Sequence, residues 1–188
     1  MIFIESRDYS VTRFRPRPSL ALDGHVALSS VPDGKGCHWE VARVMVKASA
    51  VARVLGGEKT LGKRVSSQQD LITVVRRGLR TSTVDAVIEE LDAPRTEVLP
   101  TLRIARRTME RRKVTGRLLP AESERVYRLA KVLAFAESVL GSRDKARHWL
   151  SAPNRAMGNV SPLSLLETEA GTDEVTNVLG RIEFGVYS

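Results

Sequence analysis

The sequence predicts an all-α protein, and three observations carry that prediction. Apolar residues recur at helical spacing, most clearly at Val126, Leu129, Ala130, Leu133, Ala136, Val139 and Leu140. Serine or threonine before such stretches and glycine after them punctuate the chain as helix caps and stops do. No run alternates apolar and polar as a half-buried strand would, and aromatics make up only 5% of the chain. The apolar content is mostly Val, Leu and Ala, which suits helices packing through aliphatic seams.

Taken in order, residues 1–38 contain Pro16, Pro18, Pro32, Gly24, Gly34 and Gly36 and no apolar period, so a flexible N-terminal segment is expected there. A helical region over 39–119 and a second over 120–188 follow. In the first, "EVARVMVKASAVARVL" (40–55) is helical in reach and stopped by Gly56-Gly57. "SSQQDLITVVRRGL" has Ser66 or Ser67 as N-cap, Asp70 in the first turn, Leu71, Val74 and Val75 inside, and Gly78 as terminator. "TSTVDAVIEEL", capped by Thr81 or Ser82, ends before Pro94. From Pro120 to Leu140 the pattern is cleanest. Pro120 stands at N1, Glu122 and Glu124 lie in the first turn where the helix dipole favours them, and Gly141 ends the stripe. Three shorter helices are expected behind Ser142, behind Ser161 with Pro162 at N1, and behind Thr172. Trp149, Leu163, Leu166, Val175, Val178 and Leu179 are core candidates, and "APNRAMGNVSP" reads as a turn-rich connector in which Asn154 bonds its own backbone.

The charge is unevenly placed. Residues 95–131 carry eleven Lys/Arg against four Glu, residues 1–94 fourteen basic against eleven acidic groups, and residues 132–188 five against seven. A basic block of this kind is the electrostatic footprint of a nucleic-acid contact. In "IARRTMERRK", Arg106, Arg107, Arg111, Arg112 and Lys113 crowd a short helix, with Ile104, Thr108 and Met109 as its narrow buried side. "STVDAVIEEL" and "EVLPTL" before it have the lengths of the supporting helices of a helix-turn-helix. Arg103, Arg106, Arg107, Glu110, Arg111 and Lys113 are the candidate DNA-contacting residues. Guanidinium groups bond guanine edges and phosphate bidentately, whereas Glu110 fits base contact or internal pairing with a neighbouring arginine.

Other classes find no support. No apolar stretch reaches membrane-spanning length, no secretory pattern opens the chain, and the single Cys37 can form no internal disulfide, so a cytoplasmic location is expected. His25, His38 and His148 are scattered, four metal ligands at recognisable spacing are absent, and "LGGEKTLGKR" lacks the ending of a phosphate-binding loop. Neither catalysis nor a cofactor is expected.

Specific residues narrow the reading. Arg107-Thr108 with Arg111-Arg112, Gly116-Arg117-Leu118, Ser123 with Arg125, Arg128-Leu129-Ala130, Ala146 with Trp149-Leu150, and Pro153-Asn154 form one ordered series. Ser161-Pro162-Leu163, Leu165-Leu166, Gly171, Val175, Leu179-Gly180-Arg181-Ile182-Glu183 and Gly185 continue it. This series closely resembles the Xre/MbcA/ParS-like antitoxins of RES–Xre toxin–antitoxin modules, over roughly residues 52–188. Departures are small: Asn159 stands where glycine is common, Ser161 where threonine is usual, and Arg80 where a proline is frequent. The resemblance implies a Cro/repressor-like helix-turn-helix region followed by a small helical toxin-binding domain with a C-terminal inhibitory tail. It further implies operator DNA and a cognate RES-domain, NAD-degrading toxin as partners, with repression of the chain's own operon. Asn154, Arg181, Glu183, Phe184, Val186, Tyr187 and Ser188 are then the expected toxin contacts, although the backbone role already accounts for Asn154 and a surface ion pair for Arg181 and Glu183. A homodimer is expected, assembling with toxin into a larger hetero-oligomer, without membrane. The competing reading is a stand-alone helix-turn-helix regulator whose C-terminal domain only oligomerises.

Overall fold

The computed structural model describes residues 46–185, which belong to one compact unit. The expected flexible segment 1–38, and residues Val186, Tyr187 and Ser188, lie outside the described residues. The described chain is helical: α1 (Ala48–Val54), α2 (Gly57–Leu61), α3 (Gln68–Arg76), α4 (Ser82–Leu91), α5 (Arg95–Thr101), α6 (Arg106–Thr115), α7 (Pro120–Leu140), α8 (Arg143–Ser151), a 3₁₀ turn (Arg155–Met157), α9 (Pro162–Leu165) and α10 (Glu169–Glu183). Two isolated bridges, Arg80 with Arg117 and Asn154 with Val160, are the extended pairings among these residues.

Helix α7 is the axis of the fold. At 21 residues it spans about 32 Å, and α1, α3, α4, α8 and α10 all pack on it. Its expected stripe is buried at Val126, Leu129, Ala130, Leu133 and Ala136, while Val139 and Leu140 are half-buried. Val132, Ala134 and Phe135, off that stripe, are buried too, because five helices surround α7 rather than one. Burying Val126, Leu129, Val132, Leu133 and Phe135, each at most 5% exposed, contributes roughly 7–15 kcal/mol of gross transfer free energy. An ion-pair network adds polar ties between helices: Arg53 on α1 meets Glu90 on α4 and Glu137 on α7, and Arg143 on α8 reaches the same two carboxylates.

The caps explain where helices start. Ser67 closes a capping box with Asp70 at the start of α3, and Asp70 also takes Lys63 Nζ at 2.7 Å. The Lys63 ammonium, then the Ser67 hydroxyl and the Ser66 N–H, hold the Asp70 carboxyl well below the usual carboxylate range. Gly78 ends α3 at φ +86°, where a Cβ would stand 2.4 Å from the Leu118 carbonyl oxygen. Thr81 precedes α4 without a side-chain capping bond. Ser142 and Ser161 cap α8 and α9 as expected.

Three expectations are corrected. A short helix, α2, follows Gly56 directly, where the glycine pair was expected only to stop α1; left-handed backbone at Gly56 and Gly62 turns the chain into and out of it. The last helix begins behind Thr168, not Thr172. Thr168 Oγ1 accepts the Gly171 N–H at 3.0 Å, and Thr172 lies buried one turn in. Gly171 thus lies inside the first turn of α10. Its missing Cβ lets α10 approach Leu165, whose carbonyl oxygen would be 2.0 Å from that atom. Trp149 is half-buried at the edge of the core rather than inside it.

Candidate DNA-binding and partner-binding surfaces

Helices α5 and α6 are joined by a tight turn, residues 102–105, in which Arg103 takes a left-handed conformation at φ +52°. A non-glycine residue there costs about 1–2 kcal/mol. The turn is held by Arg103 N–H to Pro100 O at 2.7 Å and Ile104 N–H to Leu99 O at 3.0 Å. It is further held by Arg125 of α7, whose Nε donates to Leu102 O at 2.7 Å. Ala105 opens α6 without a capping side chain, leaving its first N–H groups without one to serve them.

The rotation of α6 sorts its residues. Met109 is buried and Arg112 is turned inward, its side chain 14% exposed. Arg112 grips Glu122 on α7 through Nε at 2.8 and 3.1 Å and Nη2 at 3.1 Å. Glu122 also accepts the Leu119 N–H at 2.7 Å, the carboxylate half of a capping box that leucine cannot complete. Burial pushes the Glu122 carboxyl up, but the Arg112 guanidinium and the Leu119 N–H outweigh it and hold the group below the usual range. Arg112 therefore belongs to the fold rather than to the exposed basic face.

Arg103, Arg106, Arg107, Glu110, Arg111 and Lys113 all lie on the exposed side. Arg106 pairs with Glu110 at 3.3 Å one turn along, and Arg103 lies 3.8 Å from Glu167 on the α9–α10 connection. Arg107, Arg111 and Lys113 meet no carboxylate among the described residues. Beside them, an open groove of about 960 Å³ runs between α5 and α6, floored by Leu99, Ile104 and Met109. Arginines on this face can pair with phosphate or base edges.

The C-terminal candidates gather less closely. Arg181, Glu183 and Phe184 occupy the last turn of α10 and its cap, with Phe184 52% exposed. Gly185 follows in left-handed conformation at φ +68° and ends the helix. Arg181 and Glu183 form no ion pair with each other, contrary to the surface pair considered for them, because residues two apart on a helix do not face each other. Asn154 serves the backbone: its Oδ1 accepts the Ala156 N–H at 2.9 Å, and its N–H donates to Val160 O at 3.0 Å. The 3₁₀ turn it caps packs on α10. Asn159 is left-handed at φ +62°, and Ser161 supplies its capping bond to Ser164 N, as their positions in the connector led one to expect.

Sequence reasoning named Arg112, Glu122, Ser123 and Arg125 but missed their part in positioning these surfaces. Their side-chain partners lie on other elements, 10 to 44 residues away. Among the described residues no group of three or more His, Cys, Asp or Glu could hold a metal ion, and no helix is long and apolar enough to cross a membrane.

Comparison with known proteins adds to this geometry. Residues 135–185 match the description "Antitoxin Xre/MbcA/ParS C-terminal toxin-binding domain", and residues 70–131 match "Antitoxin Xre-like helix-turn-helix domain". The chain is 35% identical over 132 residues to an "Antitoxin Xre" of Yersinia enterocolitica, covering 69% of this chain and 89% of the relative. It is 33% identical, with the same coverage, to an "Antitoxin Xre" of Photorhabdus laumondii. A Sphingobium relative titled "Prs ADP-ribosylating antitoxin" is 29% identical over 133 residues, 65% of this chain and 84% of that protein. One chain of the M. tuberculosis MbcT–MbcA toxin–antitoxin complex is similar at 27% identity and a TM-score of 0.43, covering 57% of this chain and 96% of that one.

Proposed function

This chain belongs to the Xre/MbcA/ParS-like antitoxin family, and from that premise we propose that it neutralises a cognate RES-domain, NAD-degrading toxin and represses its own operon. The observation that carries the DNA half is the exposed side of α6, where Arg107, Arg111 and Lys113 meet no carboxylate among the described residues while Met109 and Arg112 anchor the opposite side. Arg103, Arg106 and Glu110 share that side, with Arg103 and Arg106 available to exchange a carboxylate for phosphate. The toxin half is supported by the match of 135–185 to a toxin-binding domain and by the exposed Phe184 at the end of α10. The same match favours an antitoxin over a regulator whose C-terminal part only oligomerises. In this reading residues 39–119 face DNA, residues 120–188 face the toxin, and Arg181, Glu183, Phe184, Val186, Tyr187 and Ser188 enter the toxin's active site. The protein acts as a homodimer, since paired half-sites call for paired recognition helices.

The test uses the full chain co-produced with its RES-domain toxin. Growth and cellular NAD are expected to be restored by the wild type and not by a chain lacking residues 184–188. A truncated chain that still protects NAD removes the tail from the mechanism, and a full chain that fails to protect it removes the toxin reading. For DNA, binding to a duplex from upstream of the chain's own reading frame is expected to weaken steeply as salt rises. Salt-insensitive binding counts against α6 as a phosphate-contacting helix.

A further inference from the structure

Two connections far apart in sequence lie side by side at the C-terminal end of α6. The α3–α4 connection carries Arg77 and Arg80, and the α6–α7 connection carries Arg117. The bridge between Arg80 and Arg117 joins them, with Leu118 N–H donating to Leu79 O at 2.8 Å and Thr81 N–H to Gly116 O at 3.2 Å. Ser123 Oγ on α7 accepts the Leu79 N–H at 2.8 Å, and Arg117 Nη1 donates to Gly78 O at 2.8 Å. Gly78 allows this close approach, because any Cβ there would collide with Leu118 O. The pair of connections is thus a cross-braced platform and not two loose loops.

The platform concentrates charge of one sign. Arg76, Arg77, Arg80, Lys113 and Arg117 are all exposed, and none meets a carboxylate among the described residues. Residues 71–84 and 111–121 contain no Asp or Glu at all. Cations at the C-terminus of α3 are favoured by its dipole, which accounts for Arg76 or Arg77. It does not account for five like charges on adjoining segments, whose mutual repulsion opposes the compact state.

The position fits one partner. A ten-residue helix spans about 15 Å, against a major groove about 12 Å wide. With the N-terminal half of α6 at base edges, its C-terminal end stands at a wall of the groove, where the phosphates are. We infer that Arg76, Arg77, Arg80 and Arg117 form a phosphate clamp that grips the backbone of double-stranded DNA beside the site that α6 reads. This rests on α6 being the recognition helix. The clamp positions the protein and carries no sequence information of its own.

The experiment measures binding of the full chain to two duplexes of equal length, one from upstream of its own reading frame and one of random sequence, across a salt series. Arg77→Gln/Arg80→Gln is expected to weaken both alike, leaving their affinity ratio unchanged, and to lower the slope of log affinity against log salt by about 1.8. Arg77→Lys/Arg80→Lys is expected to restore the slope. Should the double Gln variant melt early, Arg77→Gln and Arg80→Gln singly are each expected to lower the slope by about 0.9. An unchanged slope overturns the clamp, as does a loss confined to one duplex, a loss that lysine does not rescue, or a loss of toxin binding with DNA binding intact. If those outcomes occur while Arg107→Gln/Arg111→Gln still abolishes preference for the upstream duplex, only the clamp falls. If the wild type binds neither duplex, the reading of α6 falls and the clamp with it.

Discussion

Replacing Glu122 with alanine removes the carboxylate that pairs with the inward-facing Arg112. The side chains of the pair are 14% and 8% exposed, and three N···O contacts of 2.8–3.1 Å join them. Breaking one side of so buried a pair costs about 3–5 kcal/mol, because the remaining charge keeps its desolvation penalty and loses its attraction. The orphaned Leu119 N–H adds little, since Leu119 is itself half exposed and water can reach it. For a chain of this size the melting temperature is expected to fall by about 6–20 °C. Urea denaturation of the wild type, Glu122→Met, Arg112→Met and the double variant Arg112→Met/Glu122→Met measures the coupling, with Glu122→Ala alongside. The double variant is expected to recover much of the loss, since apolar groups of similar volume leave no unpaired charge. The pH sign is also fixed. A carboxyl whose folded pKa is lowered contributes stability that is complete above its unfolded value and is lost as pH falls through the folded one. The gap between wild type and Glu122→Ala should therefore be full at neutral pH and close in acid. A loss below about 1 kcal/mol, additivity in that cycle, or a gap that does not narrow at all as pH falls beneath the ordinary carboxylate range would refute the reasoning.

Three further outcomes are expected. Gly78→Ala should cost more than about 1–3 kcal/mol in thermal or urea unfolding, since it combines a left-handed backbone with a Cβ 2.4 Å from Leu118 O. Arg103→Gly should leave stability within about 1 kcal/mol of the wild type, because glycine relieves the left-handed strain while loosening the unfolded chain. Its DNA binding should weaken, with a salt slope smaller by about 0.9, which separates the turn's backbone role from its charge. Phe184→Ala, at a position 52% exposed, should lower toxin affinity by about 2 kcal/mol or more in a titration of the isolated proteins, with a cooperative unfolding transition retained.

Much of the fold was legible because helix boundaries are local chemistry. Ser67 with Asp70, Pro120 at N1, Gly141, and Ser161 with Pro162 act within one turn of themselves, and each does in the structure what its position implied. The basic side of α6 was legible for a similar reason, since charges four apart on a helix share a face. The role of Gly171 was not legible, because the Leu165 carbonyl that leaves no room for a Cβ there belongs to the preceding helix. Arg112 could not be told from Arg111 by type or spacing alone. Only the packing of α6 on α7 puts one against Glu122 and the other outside.

The all-α class, most helix ends, the basic helix and the family follow from residue order, because these depend on neighbours within a few residues or on an ordered series of them. Which arginines hold the fold and which stand outside it follows from packing between helices. The tertiary structure also brought the connection that carries Arg77 and Arg80, which by sequence lies in the nearly balanced first half of the chain, beside Arg117 at the end of α6. Charge acts through space, over several ångströms, while composition is counted along the chain. The bridge between residues 80 and 117 is the physical link between the two.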